Sequence, residues 1–150
     1  MTKYLTEQAL EKFKKELENL EKVKRKEVSE KIRQTASFGD LSENAAYDIA
    51  KEEQGFVERR IKELKDIISQ AKVIEKKNSG RVEIGSLVCL ESDEGEDNFQ
   101  IVEEEEADIM QNKISLKSPL GKAIYRKKQG DVVEVDTPEG KRKYEIVEIK

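Results

Sequence analysis

Two stretches of helix-spaced apolar residues, each about thirty positions long, are separated by only a few residues around Gly39, and that arrangement permits few folds. Upstream, Leu10, Phe13, Leu17, Leu20 and Val23 recur every three or four positions, and Val28, Ile32 and Ala36 resume after a slip near Lys24. Downstream, Ala46, Ala50, Val57, Ile61, Leu64, Ile68 and Ala71 step by threes, fours or a heptad, with Gln54 filling a polar core position. Helices joined by so short a link must run antiparallel, and at ~1.5 Å per residue each arm is on the order of 45 Å long. The link is therefore expected at the far tip of a rod.

The period changes from helical to two after residue 80. Thr6, followed by Glu7 and Gln8, predicts a helix N-cap, with the first helix running over about 6–36 and the second over about 41–74. Lys76-Lys77-Asn78-Ser79-Gly80 combines terminal cations with helix-stopping residues and marks a boundary, so the chain divides into 1–76 and 77–150. Beyond it, runs at 87–90, 99–102, 113–116, 132–135 and 144–149 predict a small antiparallel β domain, giving an α+β chain. Its last hairpin is expected to turn at Thr137-Pro138-Glu139-Gly140, and a short helix is expected over 120–127.

With 35% hydrophobic and 41% charged residues, 150 positions leave little material for a large core, which suits two small or elongated domains. The net charge of −4, with both signs dense, argues against a protein that binds polyanions over its whole surface. Cys89 has no second cysteine to pair with and sits in an apolar alternation, so a buried reduced thiol in a reducing cytoplasm is expected. No apolar run approaches the ~20 residues of a membrane span, and the N-terminus lacks a signal peptide's apolar core, so no membrane partner is expected.

The absence of histidine removes the usual neutral-pH general base, and one cysteine cannot build a zinc-thiolate cluster. No phosphate-binding glycine pattern occurs, so no nucleotide cofactor is implied. What remains is the link, Ser37-Phe38-Gly39-Asp40-Leu41-Ser42-Glu43-Asn44-Ala45, with two carboxylates three residues apart. Asp40 and Glu43 match a capping box, with Asp40 as N-cap and Glu43 reaching back to it. They equally suit a hard cation such as Mg²⁺, which often takes only one or two protein carboxylates and completes its shell with water and phosphate oxygens. A two-helix tip has no concave pocket, so under that reading another macromolecule supplies the rest of the site.

The segment 39–45, with Tyr47 and Ala50-Lys51-Glu52-Glu53-Gln54-Gly55-Phe56 behind it, resembles the tip signature of the bacterial transcript cleavage factors GreA and GreB. The likeness extends through Ile101-Val102, Glu106-Ala107-Asp108, Ile114-Ser115, Ser118-Pro119-Leu120-Gly121-Lys122-Ala123 and Gly130-Asp131, which are similar to that family's FKBP-like domain. The resemblance implies a monomer whose coiled-coil tip enters the secondary channel of RNA polymerase while the β domain docks at the channel mouth. Asp40 and Glu43 would help hold a Mg²⁺ shared with the polymerase site and not bound tightly by the isolated chain. Gly39, Ser42, Asn44 and Lys51 would contact RNA or polymerase. The substrate would be the extruded 3′ end of backtracked nascent RNA, cleaved by the polymerase, so the chain would not itself be an enzyme.

Three positions depart from the family pattern: Ala46 replaces a frequent glutamate, and Glu103 and Arg126 replace frequent glycines. The two glycine replacements are expected to alter local turns or the docking surface. Lys22, Lys24, Arg25, Lys26, Lys31, Arg33, Lys51, Arg59 and Arg60 offer phosphate contacts, although a solvated face balanced by glutamates is the better explanation for most of them, Lys51 excepted because it matches a basic position of the resembled family. Phe38 and Tyr47 are candidates for stacking or for packing that fixes the turn. The acidic block over 93–97 lacks the spacing of a calcium loop and is expected to be a solvated hairpin connection. Two other readings stay open: a channel-occupying regulator that does not promote cleavage, and a coiled-coil adaptor indifferent to Mg²⁺.

Overall fold

The computed structural model describes residues 1–39, 44–75 and 79–150. In chain order the elements are β1 (Lys3–Leu5), α1 (Glu7–Asn19), a π-helical turn (Leu20–Lys24), α2 (Arg25–Ala36), α3 (Ala45–Gln70) and β2 (Ala71–Val73). There follow β3 (Leu87–Ser92), β4 (Gly95–Val102), two 3-10 turns (Glu104–Glu106 and Ile109–Gln111), β5 (Lys113–Ser115), α4 (Pro119–Ile124), β6 (Val132–Thr137) and β7 (Gly140–Ile149). Two compact units result, one of Gln8–Gln70 and one of Met1–Glu7 together with Ala71–Lys150.

In the helical unit, Val28, Val57 and Ile61 form a buried core against Leu17, Leu20 and Ile32. Ion pairs fix the antiparallel register: Arg60 to Glu16 at 2.7 Å, Arg25 to Glu58 at 2.9 Å and Lys24 to Glu53 at 2.9 Å. The π turn coincides with the slip near Lys24 that the apolar spacing carries. By absorbing one extra residue, it brings Leu20 and Val28, eight positions apart, onto one face as if they were a heptad apart. The same insertion corrects one expected core position. Val23 is left 47% exposed, and the aliphatic stem of Lys24 lies half-buried beside α3. Ala46 also proves exposed, and Ile67 rather than Ile68 is buried, because α3 begins at Ala45 and carries its own phase.

The second helix ends at Gln70, short of the expected 74, because Ala71–Val73 pairs in parallel with β1, aligning Lys3 with Ala71 and Leu5 with Val73. The remaining strands form one sheet in the order β5-β4-β3-β7-β6. All its pairs are antiparallel except β4 with β5. The chain leaves β4 at Val102, loops back through both 3-10 turns and re-enters beside Gln100 in the same direction. Val88 and Leu90 on β3, Ile101 on β4, Val133 and Val135 on β6 and Ile146 on β7 point to one buried face, closed by Val82 and by Ile124 of α4. A bulge in β7 opposite Cys89 and Leu90 lets Ile146 and Ile149 both reach that face. Strand alternation places Cys89 on the other face, half-buried with Sγ 3.9 Å from Glu96, so the expected burial is corrected. Desolvation there, with the carboxylates of Glu96 and Glu148, pushes the thiol above its ordinary range.

The Thr137–Gly140 turn closes β6 and β7 as expected. Asp93 and Glu94 connect β3 to β4, whereas Glu96 and Asp97 lie within β4 itself. Ser118 caps α4 by accepting from the Gly121 amide at 3.0 Å, with Pro119 at the first helical position. A Cβ at Gly121 would lie 2.1 Å from the Ser115 carbonyl oxygen, so only glycine allows α4 to meet the end of β5.

Candidate functional site

The two arms of the helical unit are stitched together where they meet the link. Helix α2 ends at Ala36, and the Phe38 amide bonds back to the Thr35 carbonyl at 3.1 Å. That carbonyl also accepts from the side-chain amide of Asn44. The other end of the same side chain, Oδ1, accepts from the Tyr47 amide at 3.1 Å. Asn44 is therefore the N-cap of α3 and also gives a second donor to a carbonyl at the C-terminus of α2. One amide closes the loop from both sides.

Asp40, Leu41, Ser42 and Glu43 lie outside the described residues, and with them the capping box and the cation site proposed for Asp40 and Glu43. The described structure places their neighbours. Gly39 has φ +106°, a left-handed conformation suited to glycine, and a Cβ there would meet nothing within 4 Å. Phe38 is 69% exposed, whereas Tyr47 is half-buried beside the cap, so only the former is presented outward. Lys51 is exposed, its Nζ 3.3 Å from Gln54 Oε1.

Most of the basic side chains that the sequence offers for RNA contact are occupied within the helical unit. Lys22 pairs with Glu18, Lys24 and Lys31 with Glu53, Arg25 with Glu58, Arg33 with Glu30, and Arg60 with both Glu16 and Glu63. Hydrogen bonds from Lys24 and then Lys31 hold the Glu53 carboxyl below its usual range. Lys26, Lys51 and Arg59 have no ion pair among the described residues. The sequence reading gave Gly55 and Phe56 no role beyond the family likeness and treated Arg59 as one cation among many. The structure brings the three together, with the Arg59 guanidinium 4.7 Å from the centre of the Phe56 ring.

Two departures from the resembled pattern are also explained. Glu103 has φ −66° and ψ 157°, extended backbone open to any residue, and its carboxylate accepts from the Tyr4 amide at 3.4 Å. Arg126, by contrast, has φ +66°, where a glycine would be unstrained, and pairs with Glu83 at 3.0 Å.

Comparison with known proteins fits this arrangement of hairpin and sheet. Residues 3–73 match the family described as transcription elongation factor, N-terminal, and residues 76–150 match transcription elongation factor, GreA/GreB, C-term. The chain belongs to the GreA/GreB transcription elongation factor family. The transcription elongation factor GreA of Thermoanaerobacter pseudethanolicus is 49% identical over 150 residues, covering 97% of this chain and 96% of that protein. That of Rickettsia bellii is 46% identical, covering 97% and 93%. Among solved structures, the GreA factor homolog 1 of Thermus thermophilus is 31% identical, covers 100% of this chain and 99% of that one, and superposes with a TM-score of 0.47. No helix among the described residues is long and apolar enough to cross a membrane.

Proposed function

We propose that the chain acts on RNA polymerase, entering its secondary channel with the hairpin link foremost and stimulating the polymerase's own cleavage of backtracked RNA. The family membership supports the transcription role. The observation that carries the finer reading is the acid pair on the eight-residue link 37–44, whose two ends are fixed by Asn44. The donor set of the acid pair, two carboxylates without nitrogen or sulfur, suits Mg²⁺. Asp40 and Glu43 would hold the ion jointly with the polymerase, and the ion, when bound, supplies activation of water and stabilisation of the leaving oxygen. The chain provides ligands and position, and the polymerase provides the catalytic centre.

The test is release of 3′-end RNA fragments from purified backtracked elongation complexes in Mg²⁺. Wild type is expected to accelerate release, and Asp40→Ala with Glu43→Ala to abolish the acceleration while still competing with wild type for polymerase. Polymerase binding by wild type without any acceleration would sink the cleavage reading in favour of a regulator that only occupies the channel.

A further inference from the structure

The outer face of α3 carries a feature that neither the hairpin core nor the acid pair requires. Phe56 is 57% exposed, and Ile49, one heptad before it, is 65% exposed on the same side. Over the Phe56 ring lies the guanidinium of Arg59, 4.7 Å from its centre, with no carboxylate partner among the described residues. Beside it stands Gly55, inside a helix where glycine is less favourable than alanine. A Cβ on residue 55 would stand 3.3 Å from Arg59 Nη1. A cation without a carboxylate partner among the described residues thus lies over an exposed aromatic ring. The outward face of that guanidinium is a planar, positively charged surface.

We infer that Gly55, Phe56 and Arg59 form a stacking seat for a base of single-stranded RNA on the outer face of α3. The inference rests on the proposal that extruded RNA meets the hairpin. Bases stack on guanidinium planes and aromatic rings regardless of sequence, and the positive charge draws the adjoining phosphates. Lys51, also without a carboxylate partner among the described residues, lies about 12 Å nearer the link along the helix and extends the same attraction. Glu52 stands between them and repels phosphate locally, so the seat at Arg59 holds the base face rather than the backbone. The ion-paired arginines and lysines of the hairpin are excluded from this role by their glutamates.

The test uses the full chain and fluorescently labelled short oligoadenylate and oligouridylate, read by fluorescence polarisation at low salt without polymerase. Phe56→Leu and Arg59→Gln are each expected to weaken oligoadenylate binding about fivefold or more, with a smaller effect on oligouridylate. Circular dichroism of the variants confirms an unchanged hairpin, since both side chains are exposed. Full recovery by Arg59→Lys would reduce the seat to a point charge and overturn it, as would wild type that fails to bind either RNA. Unchanged RNA binding by Phe56→Leu and Arg59→Gln would also overturn it. Because this assay contains no polymerase, its failure leaves the cleavage reading to the Asp40 and Glu43 test alone.

Discussion

At the scale of single residues, the described part of the site turns on Asn44. Its amide offers an acceptor to the Tyr47 amide and a donor to the Thr35 carbonyl, and no other side chain of that size supplies both from two separate atoms. Asn44→Ala is expected to cost about 1–2 kcal/mol in urea unfolding of the helical unit, from the lost cap and the lost cross-link. Asn44→Asp keeps the cap acceptor but sets a carboxylate against a carbonyl oxygen, so it should recover only part of that loss. Full stability of the alanine variant would show that the amide does not hold the link closed. Asn before Ala45-Ala46 is an ordinary N-cap signal, but just upstream Asp40 and Glu43, three residues apart, present the fuller capping-box pattern and capture the assignment. Arg126 was legible only as a departure. Its positive φ and its bond to Glu83 become visible once the turn after α4 is built.

At the scale of elements, the hairpin is zipped by the α3 carboxylates of Glu53 and Glu58, which pair across to the other arm, while Glu30 pairs within α2, and the partners of all three hold their pKa values down. Glu53 is lowered by hydrogen bonds from Lys24 and Lys31, Glu58 by Arg25, and Glu30 by Arg33. A carboxyl whose folded pKa lies below the unfolded value of 4.5 stabilises the fold above that value, and the stabilisation is lost as pH falls through the folded pKa. The helical melting temperature should therefore be flat from neutrality down to about pH 5 and fall at pH values below the ordinary carboxyl range, more steeply at low salt because these groups are at the surface. Glu53→Gln should lower the flat region, because the stabilisation from the ionised carboxyl is gone, and make the fall shallower, as followed by circular dichroism at 222 nm, the far-ultraviolet helix band. An identical acid profile for wild type and variant would remove Glu53 from the zipper. The apolar slip near Lys24 made the π turn legible as a fault in the period, although its remedy, a wider turn that buries the stem of a lysine instead of Val23, was not. Cys89 misled for a related reason. In Leu87-Val88-Cys89-Leu90 every residue is apolar, and only the pairing partners decide which alternate pair is buried.

At the scale of the whole molecule, the chain crosses between its two compact units twice, after Glu7 and after Gln70. A division by hydrophobic period at 76 and 77 separates segments that pack together. Met1–Glu7 and Ala71–Val73 belong with the sheet unit, yet strands of three residues carry no period, and their pairing joins positions nearly seventy apart. Side chains from the start of the 3-10 region secure that pairing. Lys3 pairs with Glu105 at 3.1 Å, and the buried carboxylate of Glu106 accepts from the Thr6 amide at 3.1 Å and its hydroxyl at 2.6 Å, with Lys113 at 3.6 Å. Ile74 covers Gly85, its nearest methyl 2.8 Å from where a Cβ would stand. A fragment of residues 79–150 keeps every strand of the five-stranded sheet but loses all of these contacts except Lys113, leaving a buried carboxylate short of hydrogen bonds. Such a loss costs on the order of 3 kcal/mol, so the fragment is expected to unfold at clearly lower urea than the same unit in the full chain. In the full chain, Glu106→Gln should reproduce part of the effect, because its one amide oxygen keeps an acceptor for the Thr6 amide while its NH2 replaces the oxygen that faces the Thr6 hydroxyl and Lys113. The far-ultraviolet signal of the hairpin is unsuited to this comparison, so the measurement follows tyrosine fluorescence from Tyr125 and Tyr144, with Tyr4 and Tyr47 replaced by phenylalanine in the full chain. Equal midpoints for fragment and full chain would mean that the sheet unit is complete from residue 79 onward and that the Thr6 clasp contributes nothing to it.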